Sequence, residues 1–302
     1  MVAAKTENFP KITEITEKTL RLEGLSCFNI AQIFDCGQCF RFDPVAVPHH
    51  AADIEGVAHG RYIRLGQDSS DSVTLYNVTK AEYESIWKHY LALDADYAEI
   101  RRDIAERFLT ATKGGDTVMP HAMAVGEGIR ILRQEPWETV CSFIVSQNNN
   151  IPRIKKIIAA MSRTYGEPIS VGGSTYYSFP TAKALADAGE SKIFELRTGF
   201  RAKYIYDAAC KAASGELDFD GIMSADLETA EAMLCKSKGV GPKVAACAML
   251  FGFNKTEAFP IDVWIKRVLA KYYPEGLDIT SLGPYAGIAQ QYLFYYERYM
   301  GN

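Results

Sequence analysis

The segment LCKSKGVGPKVAACAMLFGF (234–253) decides how the C-terminal half of this chain folds. A helix-like apolar run stops before Gly239-Val240-Gly241, whose glycines favour a tight turn, and Pro242 is well placed to begin a second helix. The segment therefore predicts two helices joined by a short hairpin. The glycines allow the backbone to come close to a ligand, and free N–H groups at the start of the second helix favour an anion such as phosphate.

This hairpin does not by itself identify a ligand. Its backbone carbonyls at Cys235, Ser237 and Val240 are candidates to hold a cation that bridges to a bound phosphate. A Gly-x-Gly turn before a helix is also common in packed α-helical proteins, so the turn alone does not establish nucleic-acid binding. Both interpretations stay open at this point.

Lys243 lies in the first turn of the predicted second helix, which is an unfavourable place for a structural cation. The helix macrodipole disfavours a positive charge there by about 0.3–1 kcal/mol. The same field, together with partial burial, favours the neutral amine that attacks carbon and forms a Schiff base. The alternative is a lysine whose stem lies along the surface while its amine reaches solvent. Lys243 is therefore a candidate nucleophile.

The segment AFPIDVWIKRVL (258–269) supplies a carboxylate after a helix break. Pro260 interrupts helical structure, and Asp262 stands at the expected N-cap of the next helix. Capping alone would explain the aspartate. An N-cap carboxylate that faces a cleft can also hold a lysine amine, or stabilise positive charge on a sugar ring as carboxylates do in glycoside cleavage.

The composition indicates a folded protein without a bulk positive charge. Of 302 residues, 48% are hydrophobic and 23% are charged, as in ordinary globular domains. The net charge of −4 argues against a protein that coats nucleic acid through its total charge. The segments 151–163, 235–243 and 263–273 nevertheless carry basic but no acidic residues, and predict a local basic face.

The cysteines and the apolar runs are typical of a cytoplasmic protein. Seven scattered cysteines predict free thiols, and the CxxC at 36–39 has no second pair or nearby histidine to complete a zinc site. The longest apolar run, 245–253, is far shorter than the roughly 20 residues that cross a bilayer. Lys5, Glu7 and Pro10 interrupt the apolar stretch that a secretion signal would need, so export is not expected.

Hydrophobic periodicity places strands in the N-terminal region. Runs at 19–25, 61–66 and 72–78 have the character of strands and predict a small antiparallel sheet. The segment 80–112 then changes to apolar residues at three- and four-residue intervals, which predicts helix.

Beyond residue 118 the sequence shows only helical periodicity. The glycine-rich connector 167–180 predicts a long surface loop between helices. The predicted fold is α+β, with an N-terminal β-sheet domain at 12–117 and a larger all-α domain at 118–302. The helices of the second domain are predicted near 124–134, 136–147, 151–165, 181–196, 201–214, 225–235, 242–252, 263–272 and 284–299.

Together these motifs resemble one family of DNA repair enzymes. GVGPK (239–243) followed by FPID (259–262) is similar to the helix-hairpin-helix plus Gly/Pro-Asp (HhH-GPD) superfamily of DNA glycosylases. The resemblance extends from about residue 19 to residue 299 and is closest to the 8-oxoguanine DNA glycosylase branch. The further motifs that carry it are DCGQCFRF (35–42), LRQEPWE (132–138), SFIVSQNNNIPRI (142–154), GFRAKYI (199–205) and GPYAGIAQQYLF (283–294).

The resemblance implies a bifunctional DNA glycosylase/AP lyase of base excision repair, which removes 8-oxoguanine paired with cytosine from duplex DNA. In such enzymes the base is flipped out, a lysine displaces it and forms a Schiff base, and β-elimination cleaves the strand. The resemblance also implies a sheet domain like that of TATA-binding protein, a monomer, and no required cofactor. In a bacterium or an archaeon the enzyme would be cytoplasmic and associated with the nucleoid.

The same resemblance implies the chemical roles of individual residues. Lys243 would attack the deoxyribose C1′ carbon, and Asp262 would aid activation of the lysine and stabilise the sugar cation. The Gly37 carbonyl would accept a hydrogen bond from the N7–H that only the lesion carries. The pocket for the flipped base would be formed by Gly37, Cys247, Gln290 and Phe294.

Gln290 and Phe294 lie four residues apart, which places an amide and a stacking ring on one helix face, as a flipped purine requires. Cys247 lies one turn after the lysine, on the same face of its helix. Contacts to the opposite base and to the DNA backbone are implied for Asn148, Asn149, Asn150, Arg153, Phe200, Arg201, Gly239 and Gly241.

Three features depart from the family pattern. Trp264 occupies a position where many relatives carry histidine, which affects contacts to a phosphate or to Asp262 rather than the chemistry. Phe200 stands where tyrosine is common and keeps a ring for stacking. The four-cysteine iron–sulfur cluster of the endonuclease-type relatives is missing from this sequence, so no Fe–S cofactor is expected.

Two other functions compete with this interpretation. An alkylpurine glycosylase shares the sheet-plus-helices arrangement but uses water activated by an aspartate, and needs no lysine after the hairpin. A catalytically silent helix-hairpin-helix module would bind DNA without needing Lys243 together with Asp262. Lys243 favours the lyase over both alternatives.

Overall fold

The computed structural model describes residues 10–112 and 115–301. Its N-terminal part contains a six-stranded sheet in which all neighbouring strands are antiparallel. The strands are β1 (Lys11–Thr16), β2 (Thr19–Glu23), β3 (Phe42–Pro44), β4 (Ala52–Ala58), β5 (Arg61–Ser69) and β6 (Ser72–Tyr76), arranged in the order β1-β2-β6-β5-β4-β3.

Strands β2, β5 and β6 confirm the three strands predicted from the sequence. Their alternation buries one row of side chains, and Leu20, Leu22, Ile63 and Leu65 are fully buried beside Trp87 in one hydrophobic core. The flanking strands β1, β3 and β4 were not predicted. Strand β1 is an edge strand whose side chains are mostly exposed, so its sequence lacks a clear apolar alternation.

Helices make up most of the remaining chain. Short π-helical turns at Tyr83–Trp87 and Phe194–Thr198, and 3-10 turns at Gly199–Arg201 and Ile279–Tyr285, adjoin them. The helices are α1 (Ile30–Asp35), α2 (Lys80–Glu82), α3 (Lys88–Tyr90), α4 (Tyr97–Ala111), α5 (Val118–Val125), α6 (Pro136–Ser146), α7 (Ile151–Tyr165), α8 (Ala182–Ile193), α9 (Ala202–Ser214), α10 (Phe219–Ser224), α11 (Leu227–Leu234), α12 (Pro242–Gly252), α13 (Val263–Tyr272) and α14 (Ala286–Met300).

The helix predicted near 124–134 was wrong. Helix α5 ends at Val125, and the following residues run without regular structure between the two parts of the molecule. The N–H of Gln134 donates to the carbonyl of Phe251 at 3.0 Å, so this backbone is satisfied by distant partners rather than within a helix. The helix predicted at 80–112 is also interrupted, between α3 and α4.

The connector 167–180 is not simply a loop, and the C-terminal region is not all-α. It forms a β-hairpin of strands β7 (Pro168–Val171) and β8 (Ser174–Tyr177), with Gly172 and Gly173 at positive φ in the turn. Paired glycines between short strands are a hairpin signal that the sequence did contain. The Tyr176 ring lies 4.2 Å from that of Tyr62, so the hairpin packs against the six-stranded sheet.

Buried residues of the described ranges form two hydrophobic cores. One lies against the six-stranded sheet, and the other joins the C-terminal helices. Helix α4 contributes Tyr97, Ile104 and Phe108 to the helical core, although it precedes the predicted boundary between residues 117 and 118. That boundary stays a prediction, whereas the α+β architecture is confirmed.

All seven cysteines are unpaired in the structure. Over residues 10–112 and 115–301, none of the helices is both long enough and apolar enough to cross a membrane.

Candidate active site

Helices α11 and α12 form the hairpin predicted from the sequence. Gly239 is left-handed, with φ of 76°, and a Cβ at this position would lie 2.3 Å from the Tyr204 ring. The Val240 N–H donates to the Ser237 carbonyl at 3.1 Å and closes the turn. Gly241 is the exposed N-cap of α12, with open space beside it. Gly239 is thus needed for packing, whereas Gly241 leaves the helix N-terminus open to a ligand.

A cavity of about 650 Å³ lies beside the start of α12. Residues of α6, α12, α13 and α14 and of the loop between α1 and β3 enclose it, and its size suits a small organic group. The predicted site residues that line it are Gly37, Asn148, Asn149, Gly241, Lys243, Cys247, Asp262, Gln290 and Phe294. Those outside its lining are Asn150, Arg153, Phe200, Arg201, Gly239 and the residues predicted to hold a cation, Cys235, Ser237 and Val240.

Lys243 is half-buried at the second residue of α12 and lines this cavity. Its Nζ lies 5.4 Å from the centre of the Phe143 ring, within cation–π range. The lysine lies near the thiol of Cys247, one turn further along the helix, and favours its charged form. Burial raises the pKa of that thiol to about 11, against the opposing effect of the lysine. The amine is therefore held at the cavity wall beside a neutral thiol.

Asp262 caps α13 and also lines the cavity. Its Oδ1 accepts hydrogen bonds from the N–H groups of Trp264 at 3.0 Å and Ile265 at 2.9 Å. Among the described residues, none bonds to its Oδ2, and no ion pair within 4.0 Å joins it to Lys243. The capping role predicted from the sequence is present, and one carboxylate oxygen remains open.

Gln290 lines the cavity and carries a buried acceptor without a partner among the described residues. The side chain is only 4% exposed, and its Oε1 has no hydrogen-bond partner within the part of the chain that the structure describes. A buried polar atom without a partner costs about 1–3 kcal/mol, so a ligand that donates to it would relieve this penalty. Gln290 is therefore placed to bind a polar edge of a ligand.

Phe294 and Gly37 line the same cavity and lie close to each other. Gly37 has φ of 75°, and a Cβ there would lie 3.4 Å from the Phe294 ring. Trp264 meets Phe294 edge-on, with ring centres 6.4 Å apart. The aromatic ring is thus supported from one side by Trp264 and approached closely by the glycine backbone.

The structure adds one residue that the sequence did not single out. Gln291 is 2% exposed, lines the cavity, and donates through its side-chain amide to the carbonyl of Cys36. Its sequence position beside Gln290 gave no signal, because the bond joins residues at opposite ends of the chain.

The residues 147–150, which we call the asparagine loop, connect α6 to α7 at the edge of the cavity. Asn148 is exposed at positive φ, and the Asn149 side chain donates to the Val145 carbonyl at 3.1 Å. Asn150 is the N-cap of α7 and accepts from the backbone N–H of Arg153. The loop is therefore a fixed turn with exposed amide groups, next to an exposed guanidinium at Arg153.

Arg201 lies inside this turn instead of on the surface. It is 2% exposed and donates to the carbonyls of Gln147 at 2.8 Å, Asn148 at 2.9 Å and Thr198 at 3.2 Å. Burial, with the nearby charge of Arg153, lowers the pKa of the Arg201 guanidinium. The DNA contact predicted for Arg201 stays a prediction; in the structure its guanidinium holds the backbone of the asparagine loop.

Phe200 is exposed and lies against this arginine. The centre of its ring lies 4.5 Å from the Arg201 guanidinium, which is a cation–π arrangement. Phe200 is 51% exposed. An exposed ring on a fixed base is suited to stacking against another planar group.

The carbonyls predicted to hold a cation at the hairpin are already partly used. The Ser237 carbonyl accepts from Val240, as described above, although a carbonyl oxygen has a second lone pair. No group of three or more histidine, cysteine or acidic side chains that could hold a metal ion occurs in the described ranges. The cation at Cys235, Ser237 and Val240 stays a prediction.

Comparison with known proteins gives two family matches that together cover most of the chain. Residues 22–140 match the model of the 8-oxoguanine DNA glycosylase N-terminal domain. Residues 141–278 match the model of the HhH-GPD superfamily base excision DNA repair protein.

Individual relatives agree with these matches. The N-glycosylase/DNA lyase of Saccharomyces cerevisiae is 40% identical over 49% of this chain and 42% of its own length. A protein of Methanothermobacter thermautotrophicus, named as a probable N-glycosylase/DNA lyase, is 30% identical over 62% of this chain and 69% of its own. The 8-oxoguanine glycosylase/lyase of Clostridium acetobutylicum, solved with double-stranded DNA containing cytosine opposite 8-oxoguanine, has a TM-score of 0.87 at 35% identity, covering 98% of this chain and 100% of that one.

The fold, the hairpin lysine and these matches define a DNA glycosylase with a helix-hairpin-helix. The chain belongs to the 8-oxoguanine DNA glycosylase family of the HhH-GPD superfamily.

Proposed function

We propose that this protein excises 8-oxoguanine paired with cytosine from duplex DNA and then cleaves the resulting abasic site. One observation carries the proposal: Lys243 lines the same cavity as Phe294 and the buried side chain of Gln290, whose amide oxygen has no hydrogen-bond partner among the described residues. A nucleophile, a polar reading group and a stacking surface are the parts needed to act on a flipped base.

Lys243 supplies the chemistry. Its nitrogen lone pair forms a bond to C1′ of the flipped nucleotide, and the bond from C1′ to the base breaks with its electron pair leaving on the base. Loss of a proton from nitrogen and opening of the sugar ring give a Schiff base. Removal of a C2′ proton then expels the 3′ phosphate by β-elimination. Asp262, with its open Oδ2 at the same cavity, stabilises the positive charge on the sugar.

The cavity wall identifies the base. Gln290 accepts a hydrogen bond from the edge of the flipped purine, Phe294 stacks on its face, and Cys247 lines the pocket beside the lysine. The carbonyl of Gly37 accepts from N7–H, a donor that 8-oxoguanine has and guanine lacks. This difference of one proton underlies the choice of the lesion over the normal base.

The asparagine loop and its neighbours contact the space that the flipped nucleotide leaves. The exposed Asn148 and Arg153 hydrogen-bond the orphaned cytosine, and Phe200 stacks as a wedge. Asn149 and Asn150 shape this turn, which Arg201 supports from inside.

The DNA backbone is bound by groups that surround the cavity. The open N-terminus of α12 at Gly241 suits a phosphate. Exposed basic residues on α7, the hairpin and α13 supply local positive charge despite the net charge of −4. These residues are Arg153, Lys156, Lys236, Lys238, Lys266 and Arg267.

The protein acts on DNA as a monomer, and its lysine chemistry requires no cofactor and no iron–sulfur cluster. A monovalent or divalent cation at the hairpin carbonyls would strengthen phosphate binding without entering the reaction. Affinity for undamaged DNA in potassium, magnesium and tetraalkylammonium buffers of equal ionic strength measures this contribution.

Borohydride trapping on a duplex with one 8-oxoguanine tests the proposal directly. Active protein should give a covalent protein–DNA adduct, and Lys243→Gln should give none while still binding the duplex. Base release without an adduct would contradict the lysine mechanism.

Measurement of base release, together with duplex binding, separates the alternatives. A 3-methyladenine duplex that is processed faster than the 8-oxoguanine duplex would indicate an alkylpurine glycosylase. Binding without release of any base would indicate a silent binding module.

A further inference from the structure

The backbone carbonyls of the three successive residues 36–38, of which the first two line the cavity, differ in their hydrogen bonding. The Cys36 carbonyl accepts from the side-chain amide of Gln291, and the Gln38 carbonyl accepts from that of Gln134 at 2.7 Å. Between them, the Gly37 carbonyl takes part in no hydrogen bond with any residue that the structure describes. Gly37 itself lines the cavity.

The side chain of Gln38 holds residues 36–38, which we call the glycine turn, through hydrogen bonds to the protein interior. It is 1% exposed, donates to the carbonyls of Ile33 and Arg130, each at 2.8 Å, and accepts from the Leu132 N–H at 2.8 Å. All its strong hydrogen-bonding groups are thus directed into the protein. The turn has no polar side chain of its own that reads the cavity.

Gln291 is the part of this support that lies on the cavity side. Gln134 and Gln38 are outside the cavity lining, whereas Gln291 belongs to it and comes from α14, the helix that carries Gln290 and Phe294. The bond from Gln291 to Cys36 therefore sets the position of the glycine turn relative to the two base-contacting residues. Both residues are at most 2% exposed, so the bond is largely shielded from water.

We propose that Gln291 is a positioning residue for base discrimination, which fixes the Cys36–Gly37 peptide so that only the Gly37 carbonyl remains available to the base. This inference rests on the proposed function. With the carbonyl fixed, guanine places the N7 lone pair against an oxygen lone pair and is repelled, whereas 8-oxoguanine donates its N7–H. If the turn could rotate, the oxygen would move away from guanine and discrimination would fall.

Gln291→Met tests this proposal because it keeps the length of the side chain and removes the donor. Single-turnover rates are measured on three duplexes, each with cytosine opposite: 8-oxoguanine, guanine, and a preformed abasic site. The ratio of 8-oxoguanine to guanine excision should fall about tenfold, as expected for one lost buried hydrogen bond. Cleavage of the abasic site, which needs Lys243 but no base, should stay within about twofold of wild type.

Gln32→Met is the matched control. The Gln32 side chain donates to the Val125 carbonyl at 2.9 Å and also accepts from the Gly128 N–H at 2.8 Å. It lies in α1, close in sequence to the turn but outside the cavity lining. This variant loses a bond of the same kind and should keep the wild-type ratio. Binding of the lesion and guanine duplexes by Lys243→Gln, with and without Gln291→Met, should show the same fall in discrimination without turnover.

The outcomes are distinguishable. An unchanged ratio in Gln291→Met, or an equal fall on all three duplexes, would overturn the positioning role and leave the proposed function intact. A wild-type protein that releases no 8-oxoguanine would overturn both.

Discussion

The cavity and the asparagine loop use buried hydrogen bonds for different purposes. At the cavity, buried glutamines position atoms that would touch the ligand: Gln290 is itself a reading group, and Gln291 supports the glycine turn. At the loop, the hydrogen bonds of the buried Arg201 go to backbone carbonyls, and the side chains of Asn148 and Arg153 are exposed. The lesion side is therefore organised before binding, whereas the opposite-base side offers a fixed backbone with side chains that must be ordered on binding.

This contrast predicts where a substitution affects folding and where it affects recognition. A residue that supports the loop should affect stability most. A residue that reads a base should affect activity and leave stability unchanged or improved. Four substitutions separate the two effects, from the largest to the smallest.

Arg201→Met should have the largest effect. It leaves the carbonyls of Gln147, Asn148 and Thr198 without their buried donor, and should lower the free energy of unfolding by roughly 2–4 kcal/mol. Urea denaturation measures this change. Phe200→Ala, next to it but exposed, is the control and should lose far less stability. Equal stability of Arg201→Met and wild type would show that the arginine does not support the loop.

Gln290→Met should reduce activity without reducing stability. It removes the buried oxygen that has no partner, so the unfolding free energy should be unchanged or rise by up to about 1 kcal/mol. Excision of 8-oxoguanine should fall roughly ten- to a hundredfold, since a donor on the base loses its acceptor. Thermal denaturation measures the change in unfolding free energy, and single-turnover kinetics measure the rate of excision. A clear loss of stability would mean that the oxygen has a partner in the free protein.

Arg153→Ala should affect the choice of the opposite base. Because the side chain is exposed, stability should hardly change, and the preference for cytosine over adenine opposite the lesion should fall about tenfold. Excision from duplexes with each of the four bases opposite 8-oxoguanine measures it. Lys156 is exposed on the same helix, and Lys156→Ala should weaken binding to all four duplexes alike.

Cys247→Ser should have the smallest effect. Burial raises the pKa of the Cys247 thiol to about 11, so the thiol is neutral near pH 7 and provides no thiolate partner for Lys243. The rate of excision should stay within about threefold of wild type, and the rate profile between pH 6 and pH 9 should keep its shape. A shift of either side of that profile along the pH axis would instead indicate that a thiolate assists the lysine.

The sequence predicted the parts of the site that depend on local spacing. The hairpin, the position of Lys243 in the first turn of α12 and the cap at Asp262 each follow from a few neighbouring residues. The shared face of Gln290 and Phe294 follows from helix periodicity. The family resemblance implied that Lys243, Asp262, Gln290 and Phe294 share one site. In the structure all four line the same cavity.

The parts that were not predicted depend on contacts between distant segments. Gln291 bonds Cys36 across 255 residues, and nothing next to either residue indicates this pair. The burial of Arg201 was missed because an arginine after an exposed phenylalanine has the pattern of a surface residue. The β7–β8 hairpin was missed because its strands are short and are stabilised by packing on a separate sheet.

The glycine turn and the lysine come from opposite halves of the polypeptide. Gly37 falls within the segment matched by the N-terminal family model, and Lys243 within the segment matched by the second model. The carbonyl proposed to recognise the lesion's N7–H and the nucleophile are thus encoded in different segments, whereas the other proposed base contacts, Gln290 and Phe294, come from the C-terminal helix α14. Exchanging residues 35–42 for those of a relative should therefore change the ratio of 8-oxoguanine to guanine excision in single-turnover assays, while strand cleavage at abasic sites continues.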